Sequence, residues 1–223
     1  MNIDYLSEET PNLHRLYRNE ILKIYNTIGF EPLIIFDMGA NTGGMTSIFA
    51  EQFPNSLIHA FEPFIGNFEF LLENTKGCDN IIPHNIGFSN IDMDDVEIGM
   101  PRIPSDRRHN YGRSTRFYDT ETVSIGKIQL KDYSKWCNDN GVYPDFIKLD
   151  VEGCEYEILK NAKDSGILQK TKALYVEINN TFPTAQLAKE LLCEDYDIVA
   201  DSGYNRHNFA PLNYVFKLKE SFN

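Results

Sequence analysis

Hydrophobic positions along this chain switch between two periods. Leu13, Leu16, Tyr17, Ile21, Ile24, Tyr25 and Ile28 recur at helical spacing, which predicts an amphipathic helix over about residues 12–28, stopped by Gly29. Short apolar runs follow, over 33–37, 56–62, 146–150 and 173–177, each ending in an acid: Asp37, Glu62, Asp150 and Glu177. Continuous runs of this length suit strands buried on both faces. A further strand is expected over about 80–84. Helices are expected over about 45–52, up to about 74, over 131–140, from about 155, and over 184–192. Strands that alternate with helices predict an α/β fold with a doubly wound, mostly parallel sheet. Two late strands, about 196–200 and 214–218, have too short a connection for a crossover helix, so they should pair as a C-terminal antiparallel hairpin. One stretch, about 89–131, breaks the rhythm. Val96-Glu97-Ile98 and Val123-Ser124-Ile125 look like an inserted hairpin around a long polar loop.

Composition narrows this picture. The 223 residues suit a single α/β domain over 1–223, and 42% hydrophobic residues favour folding over disorder. The net charge of -12 repels phosphate backbones, so nucleic acid is a poor default substrate. The charge is uneven. Residues 101–116 carry Arg102, Arg107, Arg108, Arg113 and Arg116 against Asp106, a net +4; with -12 overall, the rest of the chain carries -16. Such a patch can clamp an anionic group on a substrate, pair with the protein's own acids, or meet a second subunit in a homo-oligomer. Tyr111 and Tyr118 could stack on sugar rings there. No apolar run approaches the ~20 residues of a membrane span, and no basic segment precedes an apolar run at Met1. With Cys78, Cys137, Cys154 and Cys193 forming no CxxC pair, reduced thiols and a cytoplasmic location are expected.

The acids mark a ligand site, because open parallel sheets bind ligands beyond the carboxyl ends of their strands. After the first strand comes Asp37-Met38-Gly39-Ala40-Asn41-Thr42-Gly43-Gly44. A dinucleotide turn would read GxGxxG and place a pyrophosphate on a helix N-terminus. Here Asn41 holds the middle position. The loop suits a ligand with an amino acid end, such as S-adenosylmethionine. Asp37 would meet the ammonium, and N–H groups of Gly39, Asn41, Thr42 and Gly43 would meet the carboxylate. Glu62, 23 residues after Gly39, stands where a carboxylate accepts ribose hydroxyls. Pro63 follows it, then Phe64, which either lines an adenosine pocket or packs in the core. Asn85 is placed for a polar contact to the base.

With these residues in place, the chain resembles the FkbM-type methyltransferases. The resemblance rests on Phe36-Asp37-Met38-Gly39-Ala40-Asn41-Thr42-Gly43, Phe61-Glu62-Pro63, Asn85-Ile86-Gly87-Phe88-Ser89 and Ile147-Lys148-Leu149-Asp150-Val151-Glu152-Gly153-Cys154-Glu155. It spans about 33–218. It implies the class I methyltransferase fold, Rossmann-like, with S-adenosylmethionine as cofactor. It also implies O-methylation of a small hydroxyl compound, usually a sugar unit, with members differing widely in acceptor.

An alcohol is a poor nucleophile until its proton is leaving, so the acceptor side needs a base. Asp150 is the first candidate, as general base, as part of the cofactor site, or as ligand to a divalent cation such as Mg2+. Glu177 and Asn179, with Asn180, could complete such a metal site. Alternatively they cap a turn or bind the acceptor. Glu152 is a second acidic candidate, whereas Glu155 suits helix capping. His207, within Tyr204-Asn205-Arg206-His207-Asn208, is the histidine best placed to rim the acceptor pocket, ahead of His109. The acceptor could also be a lipid or another non-sugar hydroxyl. From other classes, a nicotinamide-dependent oxidoreductase is disfavoured by Asn41 and the closing hairpin. A nucleic-acid amino methyltransferase is disfavoured by Asp150-Val151-Glu152-Gly153, which replaces the expected proline-containing run.

Overall fold

A computed structural model describes residues 10–101, 122–178, 184–201 and 212–220. After helix α1 (Thr10–Ile28), strands and helices alternate through β1 (Ile34–Met38), α2 (Gly44–Gln52), β2 (Leu57–Phe61), α3 (Ile65–Asn74) and β3 (Ile81–His84). Three strands then interrupt: β4 (Gly87–Ser89), β5 (Met93–Pro101) and β6 (Thr122–Asp132). The alternation resumes with α4 (Tyr133–Asn140), β7 (Phe146–Leu149), α5 (Glu155–Asp164), β8 (Ala173–Ile178) and α6 (Ala185–Asp195). It ends in β9 (Tyr196–Asp201) and β10 (Leu212–Leu218).

Among the described residues, seven strands form one sheet in the order β3-β2-β1-β7-β8-β10-β9. The first five run parallel, and β10 lies antiparallel to both β8 and β9, giving the expected edge hairpin. The chain winds outward from β1 to β3 and then returns to β7. The switch point therefore lies between β1 and β7, where a ligand crevice is expected.

Helices cover both faces, which is why these strands are apolar throughout rather than alternating. On one face Ile35, Ile58, Phe146, Ala173, Tyr175 and Val215 pack against Ile21, Ile24 and Ile28 of α1 and Ile48, Phe49 and Phe53 around α2. The three α1 isoleucines are fully buried, each contributing about 1.5–3 kcal/mol. On the other face Phe36, Met38, Phe61, Ile147, Leu149, Leu174 and Val176 meet α4, α5 and α6. Strand pleating sends alternate residues to opposite faces. Asp37, Lys148 and Glu177 thus share the α1–α2 face, and Asp37 stands opposite Lys148 in the β1–β7 register.

Two expectations shift in detail. The insert is more than a hairpin: β5 pairs antiparallel with β6, and β4 adds to β6 in parallel to make a second, small sheet. The helix expected from Lys131 begins only at Tyr133, because the Asp132 carboxylate accepts the Lys135 N–H at 2.8 Å as an N-cap. Lys131 and Asp132 close β6 instead. No described helix is long and apolar enough to cross a membrane.

Candidate active site

The loop after β1 is built from left-handed residues: Gly39 (φ 77°), Asn41 (φ 52°) and Gly43 (φ 84°). Asn tolerates this region better than most side-chain-bearing residues. At Gly39 the requirement is absolute, since a Cβ there would lie 1.8 Å from the Asp150 carbonyl oxygen. The cofactor loop and the end of β7 therefore touch. The N–H groups of Gly39 and Ala40 donate to the Phe61 carbonyl at 3.0 and 2.9 Å, and Asn74 Nδ2 donates to the Thr42 carbonyl at 2.7 Å. Gly43, the N-cap of α2, supplies no side-chain cap, an arrangement that leaves helix N–H groups to an anionic ligand.

Glu62, just past β2, is buried under this loop. Its Oε2 accepts the Asn41 N–H at 2.9 Å and its Oε1 the Phe64 N–H at 3.0 Å. The buried Asn67 side chain is a third hydrogen-bond partner of this carboxylate, which leaves it capacity to accept one more hydrogen bond, as from a ribose hydroxyl. Burial pushes the Glu62 pKa up to about 7, against the pull of those two N–H groups and of Lys148. Asn85 holds the same turn from below, donating to the carbonyls of Glu62 (2.9 Å) and Pro63 (3.1 Å). Its donors are spent on the backbone, so a contact to the base would fall to Oδ1. Pro63 borders Gly87, and the Phe64 ring packs against Ile98, Ile128 and Leu130 of the insert.

Asp37 is fully buried in β1. Its Oδ2 accepts the Thr46 hydroxyl at 2.6 Å, and its Oδ1 forms an ion pair with Lys148 Nζ at 3.3 Å. Asp37 thus meets the loop through Thr46 and Lys148 rather than by facing open space. Lys148, in the middle of β7, is almost wholly buried. Its ammonium donates to the Gly39 carbonyl at 2.6 Å and reaches Asp150 Oδ2 at 3.5 Å. Burial alone would lower its pKa. Asp37 and Asp150, helped by Glu177, outweigh that and hold it above the ordinary lysine value. Spacing assigns this lysine no role; its signal was a charged residue inside an otherwise apolar strand, which must be paired to be tolerated.

Asp150 follows β7 and is partly open to solvent. Burial would raise its pKa, but Lys148 and a hydrogen bond from Glu177 hold it below the usual carboxylate range. Glu177 moves the opposite way, raised by burial and by Asp150. Glu152 adopts a left-handed backbone (φ 54°) beside this pair and adds to the upward push on Glu177. Glu155 folds back to accept the N–H groups of Val151 (3.2 Å) and Gly153 (3.1 and 3.2 Å), which pins the segment after Asp150. These donors fit a divalent ion poorly, because the Lys148 ammonium already stands against Asp150. Among the described residues no three His, Cys, Asp or Glu side chains converge to hold a metal. Asn179, Asn180, His109, His207 and residues 102–121, with their arginines and Tyr111 and Tyr118, lie outside the described residues.

A glycine-rich loop, the buried Glu62 carboxylate and Asp150 at the switch point of a mostly parallel sheet closed by an antiparallel hairpin define a class I methyltransferase fold. Residues 37–202 match the model of the methyltransferase FkbM domain, and the chain belongs to that family. Solved structures agree on the fold. A methyltransferase FkbM from Methylobacillus flagellatus superposes with a TM-score of 0.50 at 19% identity, covering 82% of this chain and 42% of that one. This chain therefore spans about two fifths of that relative. A precorrin-6y C5,15-methyltransferase from Geobacter metallireducens gives 0.52 at 13% identity, covering 99% and 94%. The fibrillarin pre-rRNA processing protein of Methanococcus jannaschii gives 0.51 at 16% identity, covering 86% and 68%. No curated protein matches the sequence.

Proposed function

We propose that this chain, acting as one catalytic domain, binds S-adenosylmethionine over the carboxyl ends of β1 and β2 and directs its methyl group to a hydroxyl oxygen. A sugar unit is the acceptor class to test first. The observation that carries this reading is Asp150, whose Oδ2 lies 3.5 Å from the buried Lys148 ammonium at the switch point beside the glycine-rich loop, with its pKa held below the usual carboxylate range. The cofactor fits the residues present, because Glu62 keeps capacity to accept a hydroxyl and α2 has no side-chain cap. When bound, S-adenosylmethionine supplies an electrophilic methyl group on sulfur.

The chain's own residues do the rest. Glu62 accepts a ribose hydroxyl. The N–H groups of Gly39, Asn41 and Gly43, expected to meet the carboxylate of the amino acid end, already donate to Phe61, Glu62 and Ala40. That end therefore falls to Thr42 and the uncapped first turn of α2. Asp150 takes the proton of the acceptor hydroxyl as the oxygen–methyl bond forms, and later releases it to water. A charged Asp150 performs this step, whereas a protonated one would not. Glu152 stands at the same rim. His207 is a further candidate for the acceptor side, and the arginines of 101–116 for an anionic group on the acceptor. The test is methyl transfer from labelled S-adenosylmethionine to a panel of glycans, lipids and small alcohols. Labelled product from sugars alone supports the sugar class. Product only from lipids or other alcohols moves the acceptor class. Binding of NADH without binding of S-adenosylmethionine overturns the reading.

A further inference from the structure

Lys148 has more to do than balance one buried acid. Its ammonium carries three N–H donors, and three partners surround it: the Gly39 carbonyl at 2.6 Å, Asp37 Oδ1 at 3.3 Å and Asp150 Oδ2 at 3.5 Å. Gly39 belongs to the cofactor loop, and Asp150 is the carboxylate that takes the acceptor proton. The two segments are in contact here, since the space beside Gly39 is filled by the Asp150 carbonyl. As a stabilising device the arrangement is weak, because buried ion pairs can often be replaced by apolar residues at no loss of stability. Strand pairing already joins β1 to β7 from Ile35 to Met38. What an apolar residue cannot do is hold a loop carbonyl and a carboxylate at once.

We propose that Lys148 is a positioning residue that couples the two halves of the site, fixing Asp150 against the cofactor loop so that cofactor binding orders the acceptor-side segment. This rests on the reading of Asp150 given above. Lys148→Met alone would strand the buried Asp37 charge and endanger folding. The informative variant is Lys148→Met with Asp37→Asn, which removes both charges and keeps an acceptor for Thr46; Asp37→Asn alone is its reference.

The primary measurement needs no acceptor. Hydrogen exchange is followed at residues 39–43 and 150–155 with and without S-adenosylhomocysteine. In the wild type and in Asp37→Asn, ligand should slow exchange in both segments by about tenfold. In the double variant only 39–43 should slow, with ligand affinity within about threefold of the reference. Equal slowing of both segments in the double variant overturns the coupling, and so does slowing confined to 39–43 in the wild type. An unfolded double variant, seen by thermal melting beside a folded Asp37→Asn, also overturns it, because Lys148 would then be structural.

With an acceptor from the labelled panel, the double variant should lose about 100-fold in kcat while its KM for S-adenosylmethionine stays within about threefold. Turnover equal to that of Asp37→Asn overturns the proposal. The two levels separate cleanly. Undiminished turnover in Asp150→Asn defeats the functional reading. An inactive Asp150→Asn beside a fully active double variant defeats only the positioning role.

Discussion

Glu62 and Asp150 occupy equivalent places, just beyond the carboxyl ends of the strands that flank β1, yet their environments drive them apart. Glu62 is buried with two backbone N–H groups and the Asn67 side chain for partners, and burial raises its pKa to about 7. Asp150 also feels burial, but Lys148 lies 3.5 Å away and Glu177 hydrogen-bonds to it, so its pKa is held below the usual carboxylate range. Position on the sheet therefore does not set the chemistry of a carboxyl group; its nearest partner does. In the proposed function Glu62 serves as a hydrogen-bond acceptor for the cofactor and Asp150 as the base for the acceptor hydroxyl.

The largest test of this contrast is Asp150→Asn. It should lower turnover by about 10²–10⁴-fold and leave S-adenosylmethionine affinity within about threefold, measured by labelled transfer and calorimetry. A comparable loss of affinity would erase the division between the two sides.

Glu62→Gln should do the reverse, weakening S-adenosylhomocysteine by about 10–100-fold, the worth of hydrogen bonds to a charged acceptor. Its pH dependence sharpens the point. In the proposed site it is the ionised Glu62 that accepts a ribose hydroxyl, and burial raises its pKa to about 7. Affinity should therefore rise about tenfold between roughly pH 6 and 8 in the wild type and stay flat in Glu62→Gln. Stability moves the other way. A carboxyl whose pKa is raised on folding stabilises the fold below its unfolded value of 4.5, and that contribution is lost as pH rises to about 7.

Thr46→Val removes the hydroxyl that donates to Asp37 at 2.6 Å and should cost about 1–3 kcal/mol in urea unfolding, since Asp37 is left under-satisfied. An unchanged midpoint would mean that Lys148 alone compensates Asp37. The smallest effect is expected from excess EDTA, which should leave turnover unchanged. Loss of activity restored by Mg2+ would make a metal, not Lys148, the charge that distinguishes Asp150 from Glu62.

The amphipathic first helix, the apolar strands, the acids beyond them and the glycine-rich turn were all legible locally, because each follows from short-range periodicity or from a backbone conformation that few residues accept. Glu155 was expected to cap its helix; its carboxylate instead reaches backwards to the N–H groups of Val151 and Gly153, ahead of α5. Asn85 shows where such reading ends. As a polar residue at the adenine edge it invites a ligand contact, but its donors reach across to the turn after β2. Strand β4 was equally hidden, since three residues carry no period and gain a partner only when β6 arrives beside them.

By itself, then, the amino-acid sequence determined the alternating α/β pattern, the closing hairpin and the places where a ligand's ends could be met. The tertiary structure decided which charges stand together. Lys148 and Gly39 are 109 residues apart in the chain, and only the parallel pairing of β1 with β7 brings them to 2.6 Å. Ionisation depends on groups within a few ångströms and on exclusion of water, and neither is a property of a segment read alone. The burial that pushes Glu62 up and the lysine that holds Asp150 down exist only once the sheet is assembled.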